Sequence, residues 1–179
     1  MLLEKELINE CICGNRAAQK KLYEKYSPFF FAVCRRYMPT LEEAEDVLVM
    51  GFMSIFENLD TYKGDGSFEG WMRKIIVNKA INTLRDNSEY YKTEDYEELE
   101  QKGKFESKNL NISKMDIKYI MEQIQKLPTK KRIIFNLCAI EGRSYEEAAV
   151  QLGVSRGTIA SQLAEARQTL QKKLQDFNE

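Results

Sequence analysis

The sequence predicts an all-α chain built as two small helical domains, a helical bundle and a helix-turn-helix, joined by a flexible acidic linker. Helix-favouring residues dominate and only three prolines interrupt 179 residues. No run combines strict alternation with β-branched residues, so nothing reads as a strand. The helical apolar pattern stops after Asp86 and resumes near Ile117, with the acidic run Glu94-Asp95-Tyr96-Glu97-Glu98 between. The expected organisation is therefore a first domain over 1–88, a linker over 89–113 and a second domain over 114–179.

In the first domain, Ala17, Ala18, Leu22, Tyr26, Phe29, Phe30, Val33, Cys34 and Tyr37 recur at helical spacing. Pro28 sits within this run and predicts a kink or a break, since proline removes a hydrogen bond and crowds the preceding turn. Thr40 reads as an N-cap, with Glu42 and Glu43 next to the positive end of the helix dipole, and opens a helix from about Leu41 to Leu59. The segment Tyr62-Lys63-Gly64-Asp65-Gly66-Ser67 is a turn signal, with Ser67 able to cap the next helix. From Phe68 the residues Trp71, Met72, Ile75, Ile76 and Ala80 form an apolar stripe, which assigns Trp71 to the core. Arg73, Lys74, Asn78, Lys79, Asn82 and Arg85 form a polar, cationic remainder.

In the second domain, Ile117, Ile120, Met121, Ile124 and Leu127 lead to a stop at Pro128. A further helix runs from Thr129 to about Ile140 and ends at Glu141-Gly142. Ser144-Tyr145-Glu146-Glu147 is a capping box, in which the serine oxygen accepts from an early amide and Glu147 reaches back to the cap. Ala148, Ala149 and Leu152 face inward, Gly153 supplies a left-handed turn, Val154 plugs the corner and Ser155 caps a last helix with Ile159 and Leu163 inside. The spacing is that of a helix-turn-helix. It presents Ser155, Arg156, Thr158, Ser161 and Gln162 to bases and phosphates, and Arg167, Lys172 and Lys173 lie farther along toward a nucleic-acid backbone.

Charge follows the same division. Residues 1–85 hold 12 basic and 12 acidic residues, 86–111 hold 4 and 8, and 112–179 hold 11 and 8. A modestly basic module after an acidic stretch suits a domain that contacts DNA. Histidine is absent and the cysteines Cys11, Cys13, Cys34 and Cys138 form no CxxC pair, so no metal site and no cofactor are expected. Cys34 and Cys138 read as small buried apolar residues, while Cys11 and Cys13 remain open as redox positions. Glu45 and Asp46 are a conspicuous acidic pair, but neighbours on a helix point in different directions, so an enzyme is not the expected reading. No small-molecule substrate, signal peptide or membrane span is expected, and the expected compartment is the cytoplasm.

The run from Leu127-Pro128 to Leu174, with Glu141-Gly142, Ser144 to Ala149, Leu152 to Ser155, Gly157-Thr158-Ile159 and Ala166-Arg167, resembles region 4 of extracytoplasmic-function sigma factors. Glu43 to Val47, Phe52, Glu57-Asn58-Leu59 and Phe68 to Ile75, with Asn78 and Arg85, resemble region 2 of the same sigma-70 family. The resemblance implies a subunit that binds core RNA polymerase and promoter DNA and directs transcription initiation, with an anti-sigma factor as a further partner. It implies polymerase binding through Glu43, Glu45, Asp46, Val49, Met50 and Met53. It implies -10 element binding through Lys63, Ser67, Phe68, Arg73, Lys74, Asn78, Lys79, Asn82 and Arg85, and -35 element binding through the second domain. Val49 and Met50 replace polar residues common in the family's clamp-binding helix, and Ala160 and Gln162 replace basic ones in its recognition helix. Two other readings share these motifs: a regulator that binds DNA through the helix-turn-helix alone, and a sigma-like adaptor that does not initiate transcription.

Overall fold

The computed structural model describes residues 2–86 and 117–175. Every regular element among the described residues is helical, and the chain divides into two compact units, Met1–Asp86 and Asn87–Glu179. The acidic stretch read as a linker lies outside the described residues.

The first unit contains α1 (Leu2–Ile12), α2 (Arg16–Tyr37), α3 (Leu41–Glu57), a 3-10 turn (Leu59–Thr61) and α4 (Phe68–Asp86). Asn15 starts α2, its side-chain oxygen accepting from the amides of Ala17 and Ala18. Thr40 starts α3 through a complete capping box, in which Glu43 N–H donates to the Thr40 hydroxyl and Thr40 N–H donates to the Glu43 carboxylate. Of the kink or break expected at Pro28, the break does not occur. A single helix runs through it, because Pro28 sits on the exposed side, where water can satisfy the carbonyl that proline leaves without a donor.

The helices α2, α3 and α4 enclose the core of this unit. Leu22, Phe30, Val33 and Tyr37 of α2 meet Val47, Phe52 and Ile55 of α3 and Met72, Ile76, Ala80 and Leu84 of α4, all buried. Each such apolar side chain contributes about 1.5–3 kcal/mol on leaving water. Cys34 belongs to this core, and burial pushes its thiol up to about 12. Helix α1 packs on α2 and on the 3-10 turn, burying Ile8 and Cys11.

The second unit contains α5 (Ile117–Gln125), α6 (Thr129–Phe135) continuing through a π-helical turn (Asn136–Ile140), α7 (Tyr145–Leu152) and α8 (Arg156–Gln175). Pro128 separates α5 from α6, and the buried Arg132 closes that junction by donating from Nη1 to the carbonyls of Gln125 and Leu127. This satisfies the end of α5 from within the fold. Ile124, Leu127, Ala166 and Leu170 join α5 to α8, while Ile133, Ile134 and Leu137 add the α6 side of the core. Cys138, expected to be buried, is partly exposed, because the π-helical turn carries it toward the edge of the core.

Candidate functional site

The helix-turn-helix is present at the predicted residues. Ser144 caps α7, accepting from Glu147 N–H at 3.1 Å, while Ser144 N–H donates to the Glu147 carboxylate at 2.9 Å. These bonds hold the Glu147 carboxyl below the usual carboxylate range, the Ser144 backbone donor being the largest cause. Gly153 has φ +69°, which lets the chain leave α7 in a left-handed turn, and its N–H donates to Ala149 O at 2.9 Å. Ser155 then caps α8, accepting from Thr158 N–H at 3.0 Å. Ala148, Ala149, Ile159 and Leu163 fill the space between the two helices.

Around the start of α8, Ser155, Arg156 and Ser161 are exposed, and Thr158 and Gln162 are half-buried. The hydroxyls are partly committed: Ser155 Oγ lies 2.9 Å from Thr158 Oγ1, and Ser161 donates to Thr158 O at 3.1 Å. Arg156 Nε donates to Glu146 of α7. Arg167 is exposed three turns along α8, on the edge of the helix that Arg156 occupies. A short outward surface of hydroxyls flanked by two arginines can bind phosphates and read base edges in a major groove.

The first unit carries a different kind of surface. Trp71, Ile75, Asn78, Lys79 and Asn82, at successive turns of α4, line a cavity of about 380 Å³ together with Ser54, Asn58 and Thr61. Asn58 and Thr61 are set by local bonds, Asn58 Nδ2 donating to Ser54 O at 2.8 Å and Thr61 Oγ1 to Asn58 O at 2.7 Å. Three carboxamides and an aromatic wall in one recess are suited to unstacked bases, and Lys79 to a phosphate. Trp71, assigned to the core by its stripe, is only half-buried: its ring stacks on Phe68 at 5.7 Å and 12° and opens onto this recess.

Beyond Phe68 and Tyr62 lies a second cavity of about 660 Å³, formed by the Tyr62–Phe68 loop and α1. The loop is pinned by the Tyr62 hydroxyl donating to Gly66 O at 2.9 Å, and Gly66 has φ +93°. Ser67 caps α4 by accepting from Gly70 N–H at 3.0 Å. Lys63, Ser67 and Phe68 line this cavity, whereas Asn78, Lys79 and Asn82 line the other. Lys74 and Arg85 are exposed and fall on the α4 side that carries Asn78. Arg73 lines neither cavity; its guanidinium lies 4.8 Å above the Phe29 ring and 3.8 Å from Glu69. Ser54, Asn58, Thr61 and the α1 residues fall outside the set that sequence spacing selects. Thr61 could have been suspected from its place just past the end of an amphipathic helix, and Asn58 from the Glu57-Asn58-Leu59 run, but nothing local in the sequence places α1 beside the loop.

Along α3, Glu45, Asp46, Val49 and Met53 are exposed and Met50 is half-buried. Glu43 is occupied as the capping-box partner of Thr40. Val49 and Met53 are 50% and 57% exposed, an apolar strip beside two carboxylates, and Val49 and Glu45 also line a shallow groove with Tyr23, Phe31 and Leu48. Such a strip marks a protein-binding face more than a nucleic-acid one. Leu41, 56% exposed, extends it. Among the described residues no group of three His, Cys, Asp or Glu is placed to hold a metal, and no helix is long and apolar enough to cross a membrane.

Two family profiles match separate stretches of the chain. The sigma-70 region 2 profile matches residues 22–90 and the sigma-70 region 4 profile matches residues 117–170. The ECF RNA polymerase sigma-E factor of Escherichia coli is 27% identical, over 97% of this chain and 95% of the relative. The RNA polymerase sigma-H factor of Pseudomonas aeruginosa is 28% identical, over 96% and 94%. Among solved structures, the sigma factor RpoE of Bartonella quintana, in complex with the anti-sigma factor NepR, aligns with a TM-score of 0.55 at 21% identity, covering 89% of this chain and 98% of that one. CnrH, in complex with the cytosolic domain of CnrY, aligns at 0.50 and 22% identity, covering 95% and 96%.

Proposed function

The chain belongs to the sigma-70 family, within its extracytoplasmic-function group, and from that premise we propose how its surfaces divide the work of transcription initiation. As a sigma factor it directs initiation by core RNA polymerase and is not an enzyme. The observation that carries the assignment of surfaces is the capped bihelical corner at Ser144–Gln162, whose outward side offers the hydroxyls of Ser155, Thr158 and Ser161 beside Arg156, with Arg167 three turns along the same edge of α8.

In this reading α8 enters the major groove at the -35 element. Arg156 reaches a guanine edge or a phosphate, Ser155, Thr158, Ser161 and Gln162 supply shorter contacts, and Arg167 follows the backbone. Residues 1–88 form the domain that holds the -10 element. Asn78 and Asn82 bond base edges, Trp71 stacks, and Lys63, Lys74, Lys79 and Arg85 follow phosphates. Ser67 and Phe68 shape the loop rather than carry charge to it, and Arg73 fixes the start of α4 against α2. The outward strip of α3, with Asp46, Val49 and Met53 at its centre, docks core polymerase; Val49 and Met50 make that contact more apolar than a Gln-Glu pair would.

Residues 89–113 join this domain to the second domain at 114–179. The solved relative bound to the anti-sigma factor NepR supports a partner of that class for this chain as well. The reading places the chain in the cytoplasm, where polymerase and template are.

Footprinting of the chain with core polymerase on promoter fragments tests the assignment. Protection of two separated stretches, with the upstream one lost in Arg156→Ala and the downstream one in Asn78→Ala, is expected. A single stretch lost in both variants would overturn the division. Binding of the duplex without polymerase and no gain on adding it would favour a regulator acting through the helix-turn-helix alone.

A further inference from the structure

Gly51, in the second half of α3, lies directly against Ile76 of α4. A methyl group built on Gly51 would run into Ile76 Cδ1, and would stand 3.5 Å from its Cγ1 and 3.7 Å from its Cα. Contact with a Cα means that the backbone of α4, and not only its side chains, comes up to α3. Both residues are buried, Ile76 completely, and its β-branched side chain is stiff at χ1. In a close-packed core Cδ1 has no open space to turn into. Glycine weakens a helix interior relative to alanine; at this position the missing side chain is what lets the two helices meet.

The same crossing bounds the recess beside α4. Ser54 and Asn58 follow Gly51 by one and two turns, Ile75 and Lys79 stand either side of Ile76, and all four line the recess with Asn78 and Asn82. We infer that Gly51 is a positioning residue for recognition of the opened strand. With no side chain between α3 and Ile76, it fixes the separation of the two helices, and so the distance from Asn58 on one wall to Asn78 and Asn82 on the other. The inference rests on the reading that this recess takes bases of the -10 element. Hydrogen bonds weaken steeply with distance and angle, so carboxamides on two walls can serve one strand together only at a set separation. A methyl at Gly51 moves α3 away from α4 while leaving every group that lines the recess chemically unchanged. Asp46, Val49 and Met53 of α3 are exposed, away from the buried crossing, and travel with their helix as a unit.

The test uses the full chain assembled with core polymerase, with binding of a single-stranded oligonucleotide of non-template -10 sequence followed by fluorescence anisotropy. Gly51→Ala is expected to weaken strand binding about tenfold, the size of coupling that residues in contact show. Its affinity for core polymerase, measured separately and dependent on a folded first domain, is expected to stay unchanged. Ile76→Val removes Cδ1, so Gly51→Ala/Ile76→Val is expected to bind the strand to within about twofold of the parent chain. A loss of stability alone would not give that recovery, because shortening a core side chain destabilises further. Asn78→Ala is expected to weaken the parent chain but to cost the Gly51→Ala chain little more. Strand binding that is unchanged in Gly51→Ala, that is lost without recovery in the double variant, or that is lost together with polymerase association would overturn the inference and leave the underlying reading intact. An unchanged strand affinity on Asn78→Ala in the parent chain would overturn that reading, and the inference with it.

Discussion

Arg156, the first residue of α8, is tied to Glu146 in the first turn of α7, its Nε donating to the Glu146 carboxylate while its guanidinium lies 5.9 Å from the Tyr145 ring. The Glu146 carboxyl is held below the usual carboxylate range, by its own backbone N–H first and by Arg156 second. The cation proposed to meet DNA therefore rests on a neighbouring anion, which in that reading a phosphate or guanine has to displace. Arg156→Ala is expected to weaken binding of a -35 duplex by about 1–3 kcal/mol. Glu146→Gln is expected to strengthen it by a few fold at low salt, with the gain shrinking as salt rises. Weaker binding by Glu146→Gln would show that the pair positions Arg156 instead of competing for it.

The corner itself depends on its caps. Ser144→Ala removes the acceptor for Glu147 N–H and is expected to cost about 1 kcal/mol of stability in the second domain. Gly153→Ala forces a side chain into the left-handed region and is expected to cost about 1–2 kcal/mol. Because the folded Glu147 carboxyl titrates below its unfolded value, its contribution is fully present above the unfolded value and is lost as pH falls through the folded one. Denaturant unfolding followed across the acid range checks this: Glu147→Gln should flatten the loss of stability, and an unchanged acid limb would contradict it.

The α3 strip proposed to dock polymerase makes a separable prediction. Asp46→Arg places the wrong charge beside Val49 and Met53 and is expected to lower affinity for core polymerase on the order of tenfold, leaving -35 duplex binding unchanged. Equal loss in both assays would indicate that the substitution disturbs α3 itself.

The cysteines offer a test of the fold. Cys13 is exposed, Cys11 and Cys34 are buried, and burial raises the thiols of Cys11, Cys34 and Cys138. A thiol-specific reagent at mildly alkaline pH should label Cys13 first, and Cys34 only on unfolding, since the thiolate is the reacting form. Labelling of Cys34 at the rate of Cys13 in the native chain would contradict the packing of α2.

The parts of the structure written in local chemistry were readable in the sequence. Thr40 and Ser144 each announce a cap through a glutamate three residues on, and Gly153 through its freedom to take positive φ, so the starts of α3 and α7 and the corner before α8 fall where spacing puts them. At Pro28 the local pattern left a kink and a break both open, because whether its helix survives depends on which side faces water, a tertiary fact. Trp71 misled because periodicity ranks a residue as apolar-facing without saying that a recess opens beside it. The buried Arg132 at the end of α5 and the α1 wall of the loop cavity were illegible for the same reason: both join segments whose meeting no local pattern encodes.

The central claim is that this chain confers promoter-directed initiation on core polymerase, and run-off transcription on a broad template pool tests it most directly. Discrete transcripts should appear only when the chain is added, and Arg156→Ala and Asn78→Ala should each reduce them. Association with core polymerase but no chain-dependent transcript from any template would contradict the account and identify the chain as an adaptor.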